Sequence, residues 1–397
     1  MSAQAGSGAG DVVVIGGGVI GSAIAYFLAA NDDFDGTVTV VERDPTYENA
    51  ATARSVGGIR QQFSTPENIL MSQFGASFVR NADAHLSIDG APLHLPFVEN
   101  GYLFLATDAG MPVLRENHRI QTQLGASVAL LDPAALGRRF PWLNVSGLGG
   151  GTHGERNEGW TDPYSLMQAF RAKAIALGAV YRKDDAVRLL RSGRRIAGVA
   201  LASGETLRPA IVVSAAGWHV AGLAATAGIA LDVRPRKRQV FVFSCRATLE
   251  RVPLTIDPSG VYVRPEGATY LSGVSPAAER DPDCTDFEIE YELFEEIVWP
   301  TLAERIPAFE AIKLERAWAG HYDYNLLDQN AILGPHPEID NLLFATGFSG
   351  HGLQQSPATG RAIAELVIYG EYRSIDLTRF GFGRMLRHEP VKELNVW

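Results

Sequence analysis

The sequence predicts an α/β fold in which a parallel sheet, covered by helices, is interleaved with a second domain of antiparallel strands. Three observations support this prediction. An apolar strand, a glycine-rich turn and a helix follow one another within residues 11–44. Two later strand and helix segments, around 162–217 and 341–369, resemble returns to the same sheet. Much of the remaining sequence alternates apolar and polar residues, as half-buried strands do.

The first of these segments has the parts of a βαβ dinucleotide-binding unit in the right order. Residues 12–15, VVVI, are typical of a strand buried on both faces. Gly16, Gly18 and Gly21 follow with the spacing G-x-G-x-x-G. This spacing permits a tight turn, close approach of the backbone to a pyrophosphate, and close packing of the next helix. That helix, predicted over residues 19–30, directs its positive N-terminal end at the phosphates.

Glu42 completes the unit. It follows a second predicted strand, residues 37–41, and lies 21 residues after Gly21, near the offset at which an acid bonds the adenosine ribose hydroxyls. A carboxylate there repels a 2′-phosphate, so the pattern disfavours NADP. Residues 149–154 repeat the glycine spacing, but neither a strand before them nor an apolar helix after them is evident. We therefore interpret this second copy as a loop.

Composition excludes several classes of function. The net charge is −10, and no basic run exceeds the short residues 234–238, so a role on nucleic acid or an anionic membrane is not expected. Cys245 and Cys284 lack metal-ligand spacing, which indicates reduced thiols and no metal site. Residues 1–10 lack the features of a signal or transit peptide. We expect no transmembrane segment and a cytoplasmic location, or the mitochondrial matrix if a targeting segment is missing from the sequence.

The pattern of elements also predicts the domain organisation. Three further helices are indicated. The first begins after the Asp162-Pro163 pair and ends at Gly178, the second covers about 357–369 and is stopped by Gly370, and the third is acidic and covers 286–299. The predicted nucleotide-binding domain is discontinuous and consists of residues 1–85, 153–230 and 319–397. The predicted substrate domain consists of residues 86–152 and 231–318.

Several motifs together carry a family resemblance. They are DVVVIGGGVIGSAIAYFLA at 11–29 with Glu42, EGWTDP at 158–163, AAGW at 215–218 and GFSGHGLQQSPATGRAIAEL at 347–366. The chain resembles the D-amino-acid oxidase family of FAD-dependent amine and amino-acid oxidoreductases, which includes sarcosine oxidase and dimethylglycine dehydrogenase, from Asp11 to about Phe380. The resemblance implies a glutathione-reductase-like FAD-binding Rossmann domain with an interleaved antiparallel-sheet substrate domain.

The resemblance also implies which residues bind FAD. The pyrophosphate would be held by the first glycine turn, Gly16, Gly17, Gly18, Val19, Ile20 and Gly21, and the adenosine by Glu42, Arg43 and the backbone of Val187. The path from pyrophosphate to flavin would be lined by Ser55, Gly57, Gly58 and Ile59. Ala216, Gly217 and Trp218 would lie along the dinucleotide. The N1–C2=O edge of the isoalloxazine would be covered by Gly347, Phe348, Ser349, Gly350, His351, Gly352, Leu353 and Gln354.

The chain departs from the sarcosine-oxidase pattern at four positions. His321 aligns with the cysteine that attaches flavin, and Ser55 aligns with the histidine that does so in the dimethylglycine dehydrogenase type. The resemblance therefore implies non-covalent FAD. Leu271 aligns near the lysine that serves oxygen activation, which favours a dehydrogenase over a fast oxidase. Gln354 aligns with the lysine that helps bind a substrate carboxylate.

The implied reaction is oxidation of the C–N bond of a secondary or primary amino acid to an imine, with the hydride passing to flavin N5. The substrate would be an N-substituted glycine, a D-amino acid or an opine. Arg60 either clamps the substrate carboxylate or contacts the cofactor or a structural acid. His351 is a base, an orienting group, or a loop histidine bonded to a carbonyl. Tyr322, Tyr262 and Tyr324 either line the pocket or belong to the core.

Two other interpretations remain open. One mitochondrial member of the family is implicated in assembling respiratory complex I, so the chain could instead bind FAD and act chiefly as an assembly partner with little turnover. An NAD(P)H-linked flavin reductase would need a second nucleotide motif, which residues 149–154 do not supply. The sequence leaves open the amine, the oligomeric state, and the electron acceptor, which is a quinone, an electron carrier or oxygen.

Overall fold

The computed structural model describes residues 10–394. The expectation of a small, flexible N-terminal segment without targeting features thus lies outside the described residues, apart from Gly10. Across the described part of the chain, no helix combines the length and apolar character needed to cross a bilayer.

The described chain contains strands and helices that are numbered in chain order. The strands are β1 (Val12–Ile15), β2 (Val38–Glu42), β3 (Gly58–Ile59), β4 (Phe97–Val98), β5 (Tyr102–Ala106), β6 (Val128–Leu131), β7 (Gly150–Gly154), β8 (Gly159–Thr161), β9 (Val180–Lys183), β10 (Ala186–Ser192), β11 (Arg195–Leu201), β12 (Thr206–Leu207), β13 (Ile211–Ser214), β14 (Val233–Cys245), β15 (Leu254–Ile256), β16 (Tyr262–Glu266), β17 (Thr269–Gly273), β18 (Ile312–Asn325), β19 (Ile332–His336) and β20 (Ile339–Thr346). The helices are α1 (Val19–Ala29), α2 (Pro66–Arg80), α3 (Ala82–Leu86), α4 (Met111–Gln123), α5 (Pro133–Arg139), α6 (Pro163–Ala176), α7 (Val220–Ala225), α8 (Tyr291–Leu293), α9 (Trp299–Arg305), α10 (Gly352–Tyr369) and α11 (Gly383–Arg387).

The first sheet is the predicted nucleotide-binding sheet. Its six strands have the order β19-β20-β13-β1-β2-β9, and all neighbours are parallel except the edge strand β19. Helix α1 packs between α6 and α10 on one face of this sheet. Gly360 lets α10 approach closely, because a Cβ there would lie 2.8 Å from the backbone of Ala23. The predicted βαβ unit and the Asp162 N-cap, whose side chain accepts from the Ser165 N–H, are confirmed.

The second sheet has eight strands in the order β18-β14-β17-β16-β15-β5-β7-β6, and only the β15–β5 pair is parallel. Strands β14 and β18 form a long antiparallel ribbon from the Val233–Asn325 pair to the Cys245–Ile312 pair. The predicted domain boundary after 152 falls within β7, and the one after 318 falls within β18. The division into two domains stays a prediction.

Two predicted elements are wrong. Within the segment 149–154, residues Gly150–Gly154 form strand β7 rather than a loop. Its glycines allow close strand packing, since a Cβ at Gly151 would lie 2.7 Å from the carbonyl oxygen of Phe104. The acidic helix begins at Tyr291 and continues to Arg305 through a π-helical turn. The preceding residues instead lie along β14, where Lys237 pairs with Asp286 at 3.0 Å.

Helix α10 begins at Gly352, five residues before the predicted start at 357. The prediction placed Pro357 at the helix N-terminus, where a missing N–H costs least. In the structure Pro357 lies inside the helix, and its ring cannot donate to the carbonyl of Leu353. The hydroxyl of Ser356 donates to that carbonyl at 2.8 Å instead. This substitute bond explains how the proline is tolerated. The predicted end is confirmed, because Gly370 caps the helix in the left-handed conformation, with φ of 77°.

Candidate functional site

One cavity of about 810 Å³ connects the first glycine turn with a group of buried polar side chains near α10. Most of the predicted cofactor and substrate residues line it. They are Gly16, Gly18, Val19, Ile20, Glu42, Arg43, Ser55, Gly58, Arg60, Val187, Ala216, Gly217, Trp218, Tyr262, Tyr322, Phe348, Gly350, His351, Gly352, Leu353 and Gln354. The cavity lining does not include Gly17, Gly21, Gly57, Ile59, Gly347, Ser349 or Tyr324.

The glycine turn after β1 is built for close backbone contact. A Cβ at Gly16, where φ is +99°, would lie 2.3 Å from the carbonyl oxygen of Ala215, and one at Gly21 would lie 1.9 Å from the carbonyl oxygen of Gly16. Gly18 differs, because the nearest atom to a Cβ there is the Thr52 hydroxyl oxygen at 3.4 Å. The same hydroxyl accepts the Val19 N–H at 3.1 Å. A side chain at Gly18 would therefore meet the cavity rather than the protein.

Glu42 sits at the end of β2 with both carboxylate oxygens engaged. One accepts the Gly17 N–H at 2.7 Å and the other accepts the Asp44 N–H at 2.8 Å. Burial raises the pKa of Glu42, and these two hydrogen bonds oppose that effect. Each oxygen keeps acceptor capacity beyond one bond, so the carboxylate can also accept from the hydroxyls of a ribose.

Arg43 borders the same end of the cavity. Its guanidinium forms an ion pair with Asp185 at 2.8 Å and lies 2.9 Å from a ring nitrogen of His219. Burial, assisted by the charge of Arg43, lowers the pKa of His219 to about 4. The imidazole is therefore neutral near neutral pH. Val187 is about half exposed beside this cluster.

The loop between β20 and α10 forms the opposite wall. Its backbone has positive φ at Gly347, Ser349 and Gly350. At Gly350 a Cβ would lie 2.4 Å from the ring of Tyr322, so only glycine fits there. The carboxylate of Asp323 accepts the Gly347 N–H at 2.7 Å, and burial raises the pKa of Asp323 to about 6. The first turn of α10, with its unpaired N–H groups, lies at the cavity wall.

Arg60 is buried where this wall meets β3. Its Nη1 donates to the carbonyl of Gln62 at 2.8 Å, and its Nη2 lies 3.1 Å from Nε2 of His351. The guanidinium also lies over the Phe63 ring, 4.1 Å from the centroid. The backbone N–H of Arg60 donates to Oε1 of Gln354 at 2.7 Å. The structure therefore fixes the position of Arg60 from three sides.

His351 is neutral in this arrangement. Burial, followed by the nearby charge of Arg60, lowers the pKa of His351 to about 3. Because the guanidinium is only a donor, Nε2 must be the acceptor of the contact with Arg60. A lone pair engaged in this way is not free to take a proton from a substrate. The geometry therefore suits an orienting role better than a general base.

Three tyrosines, Tyr102, Tyr262 and Tyr322, line the cavity near Arg60, and burial raises the pKa of each. Within residues 10–394, none of their hydroxyls makes a hydrogen bond to a protein group. Tyr324 packs beside Arg238, with the guanidinium carbon 5.7 Å from its ring centroid. Sequence reasoning missed Tyr102, because it lies in the apolar run YLFLA of β5 and has the pattern of a core residue.

Arg238 is a second residue that sequence reasoning missed. It lines the cavity from β14, and its guanidinium carbon lies 5.2 Å from the centroid of Tyr322. Asp281 holds it through two hydrogen bonds of 2.7 and 2.9 Å. Its signal in the sequence is the basic stretch 234–238, which the charge pattern relates only to the absence of a nucleic-acid or membrane role.

The structure also shows where two of the residues that depart from the family pattern lie. His321 lines the cavity next to Trp218, with ring centroids 5.3 Å apart. Leu271 packs with Val240 and Val242 in a small apolar cluster. Among the described residues that line the cavity there is no lysine.

Glu158 supports the site from outside the cavity. Its carboxylate accepts the N–H groups of Gln61 and Gln62, at 2.6 and 3.1 Å, and the Gln62 side-chain amide at 2.7 Å. These bonds hold the segment that follows Arg60. Burial raises the pKa of Glu158 to about 7, against the effect of the hydrogen bonds.

The burial of the Glu158 carboxyl group predicts that the stability of the fold depends on pH. Because the pKa of Glu158 is higher in the folded chain than in the unfolded chain, its contribution to stability is complete at acidic pH and is lost as the pH rises through about 7. Between about pH 5 and about pH 8, the unfolding free energy should fall by up to about 3 kcal/mol more in the wild type than in Glu158→Gln. Denaturant unfolding at several pH values measures this difference. Parallel pH profiles for the two proteins would contradict it.

Comparisons with known proteins agree with this geometry. A family model described as FAD dependent oxidoreductase, DAO, matches residues 11–366. The chain belongs to this family. It is 44% identical to FAD-dependent oxidoreductase domain-containing protein 1 of Xenopus laevis, over 97% of this chain and 84% of that protein. The Bos taurus protein of the same name is 42% identical, over 96% of this chain and 86% of that protein.

Solved structures show the same fold. The crystal structure of L-proline dehydrogenase from P. horikoshii superposes with a TM-score of 0.85 and 27% identity, covering 96% of this chain and 99% of that one. Glycine oxidase from Geobacillus kaustophilus superposes with a TM-score of 0.79 and 23% identity, covering 94% and 97%. The predicted fold and the predicted cofactor, FAD, are confirmed for this DAO family member.

The residues present fit FAD. Gly18 leaves space where a pyrophosphate needs it, and Glu42 keeps acceptor capacity for ribose hydroxyls. The loop before α10 and the first turn of that helix offer N–H groups and a positive dipole end to an electron-rich ring. The predicted cofactor contacts remain predictions for individual residues.

Proposed function

We propose that this DAO family member is an FAD-dependent dehydrogenase that oxidises the C–N bond of a small amino acid carrying a primary or secondary amine, giving an imine. The observation that carries the proposal is the buried guanidinium of Arg60, in the wall of a tyrosine-lined cavity that is continuous with the dinucleotide cleft. A cation in such a place suits a substrate carboxylate. The names of relatives, such as sarcosine dehydrogenase and L-proline dehydrogenase, support an amino-acid substrate.

The chain's own residues bind and orient the substrate. When bound, FAD accepts the two electrons and the hydrogen that leave the carbon next to nitrogen, the amine loses a proton, and water hydrolyses the resulting imine. Arg60 would hold the carboxylate, and the neutral His351 would act as a positioning residue through its contact with Arg60. Tyr262 and Tyr322 would close the pocket against water, which strengthens each polar contact inside it.

The N-terminus of α10 would contribute electrostatically. It directs its dipole at the cavity wall, so it favours negative charge there without a group that titrates. Asp323 keeps the preceding loop in place by accepting the Gly347 N–H.

The proposed function is tested by anaerobic addition of amines to FAD-loaded protein. The panel should include N-methyl amino acids, D-amino acids, proline analogues and opines, each paired with its decarboxylated amine. At least one carboxyl-bearing amine should bleach the flavin absorbance faster than its partner. A flavin that no amine bleaches, in a protein that captures respiratory-chain subunits from a mitochondrial extract, would instead favour the assembly-partner alternative.

Oxygen should be a poor electron acceptor. Leu271, which aligns near the oxygen-activating lysine, lies in an apolar cluster, and the cavity lining contains no lysine among the described residues. After anaerobic reduction, the protein should be reoxidised slowly by air and faster by a quinone or an artificial dye. Stopped-flow mixing with oxygen measures the rate. Reoxidation as fast as substrate turnover would show that the protein is an oxidase.

A further inference from the structure

Tyr102 is not among the residues that the sequence analysis predicts for the site. It begins β5 and is only 6% exposed. Its hydroxyl packs directly against Gly58. A Cβ on that glycine would lie only 1.9 Å from the hydroxyl oxygen, so the tyrosine requires glycine there. Gly58 is two residues from Arg60, and all three residues line the cavity.

The surroundings place Tyr102 and Arg60 in the same part of the cavity. The ring of Tyr102 stacks with that of Phe104, with centroids 6.1 Å apart, and the Arg60 guanidinium carbon lies 5.1 Å from the Phe104 centroid. The backbone carbonyl of Tyr102 accepts the side-chain amide of Gln62 at 3.2 Å, and the carbonyl of Gln62 accepts from Arg60. A ligand bound to Arg60 would therefore lie beside this tyrosine.

The hydroxyl of Tyr102 has no hydrogen-bond partner among the described residues. The oxygen is not one of the fully buried polar atoms that lack a partner, so it is open to the cavity that Tyr102 lines. A leucine or phenylalanine would fill the same strand position without a polar group at the cavity, so the hydroxyl offers a hydrogen bond that a ligand can use. Burial raises the pKa of Tyr102, so the phenol keeps its proton and can donate it to an acceptor in the cavity.

We propose that Tyr102 is a specificity-determining residue whose hydroxyl donates a hydrogen bond to the carboxylate that Arg60 binds. The inference rests on the proposed amino-acid substrate. The two residues would form one anion subsite, in which Arg60 supplies the charge and Tyr102 supplies a neutral, directional donor. A ligand without the carboxylate would leave the hydroxyl unsatisfied, which is a strong source of discrimination.

The test uses FAD-loaded wild type and Tyr102→Phe, with acetate and benzoate as carboxylate probes and benzamide as an uncharged probe. Perturbation of the flavin absorbance measures binding without turnover. The dissociation constants of acetate and benzoate should rise by roughly tenfold in the variant, the size expected for one charge-assisted hydrogen bond. Benzamide binding should change by less than about twofold.

Tyr26→Phe is the matched control. Tyr26 is similarly buried, with 7% of the residue exposed, but it does not line the cavity. Its hydroxyl donates to the backbone carbonyl of His85 at 3.2 Å. The control should lower the melting temperature and leave probe binding unchanged. Tyr102→Phe should leave the melting temperature of the protein without a probe close to that of the wild type, because the hydroxyl bonds no group among the described residues.

The outcomes separate this inference from the proposed function. Unchanged carboxylate binding in Tyr102→Phe, or a wild type that binds neither acetate nor benzoate, would overturn the role of Tyr102. Equal losses for benzamide and benzoate would also overturn it, since they would indicate a general effect on packing. If the variant loses carboxylate binding while no amine bleaches the wild-type flavin, the anion subsite stands and the proposed oxidation fails.

Discussion

Replacing Gly18 with valine should abolish FAD binding and leave the fold intact. A Cβ at this position meets only the Thr52 hydroxyl oxygen, at 3.4 Å, and otherwise extends into the cavity. A valine side chain would therefore occupy space that a pyrophosphate needs. Purified variant should contain less than about a hundredth of the wild-type FAD, a loss of more than about 2.7 kcal/mol in binding free energy. Its far-ultraviolet circular dichroism should match that of the wild type.

Two further variants make this result specific. Gly21→Val should disturb the turn itself, because a Cβ there lies 1.9 Å from the Gly16 carbonyl oxygen, so loss of FAD should come with loss of stability. Gly137→Val is the control, since a Cβ there would meet only a Val145 methyl at 3.9 Å and neither residue lines the cavity. A Gly18→Val protein that retains stoichiometric FAD would show that a different loop holds the phosphates.

Arg60→Lys should weaken binding of a carboxyl-bearing substrate by about 1 to 3 kcal/mol, because a planar fork is replaced by a point donor. The structure adds a reason for a large effect. The guanidinium also bonds the Gln62 carbonyl and His351, so an ammonium group cannot keep these contacts and still reach a carboxylate. FAD content should stay unchanged. Equilibrium binding of an amino acid and of its decarboxylated amine measures the effect, and only the acid should lose affinity.

Arg264→Lys is a matched control for this comparison. Arg264 is equally buried and also bonds a backbone carbonyl, that of Val56, but it does not line the cavity. Its substitution should alter stability and should affect the acid and the amine equally. Equal losses for both ligands in Arg60→Lys would mean that Arg60 serves the cofactor or the fold, and the substrate class would then include plain amines.

The nucleotide-binding half of the site could be predicted from the sequence because its parts are contiguous. The strand, the glycine turn, the helix and Glu42 follow one another within residues 11–44, and each has a local physical signature. The same local reasoning misjudged β7 and the start of α10. In β7 the glycines permit close packing against a neighbouring strand and do not form a turn. In α10 a serine hydroxyl supplies the hydrogen bond that the internal proline cannot make.

The substrate half could be predicted only in part, because it is assembled from distant segments. Arg60 and His351 are 291 residues apart, and burial, followed by the charge of Arg60, lowers the pKa of the histidine. Tyr102 and Arg238 enter the cavity from strands of the second sheet, where alternation indicates burial but not what the side chain faces. A buried tyrosine in a core and one facing a ligand have the same sequence pattern.

The most direct test of the proposed C–N oxidation is an anaerobic single turnover with the best carboxyl-bearing amine of the panel. We expect loss of the oxidised flavin absorbance together with one equivalent of the carbonyl product, and of the released amine or ammonia, for each FAD reduced. Arg60→Lys should give the same stoichiometry at a higher substrate concentration. A wild-type protein whose flavin stays oxidised with every such amine, or is reduced without a carbonyl product, would contradict the proposed function.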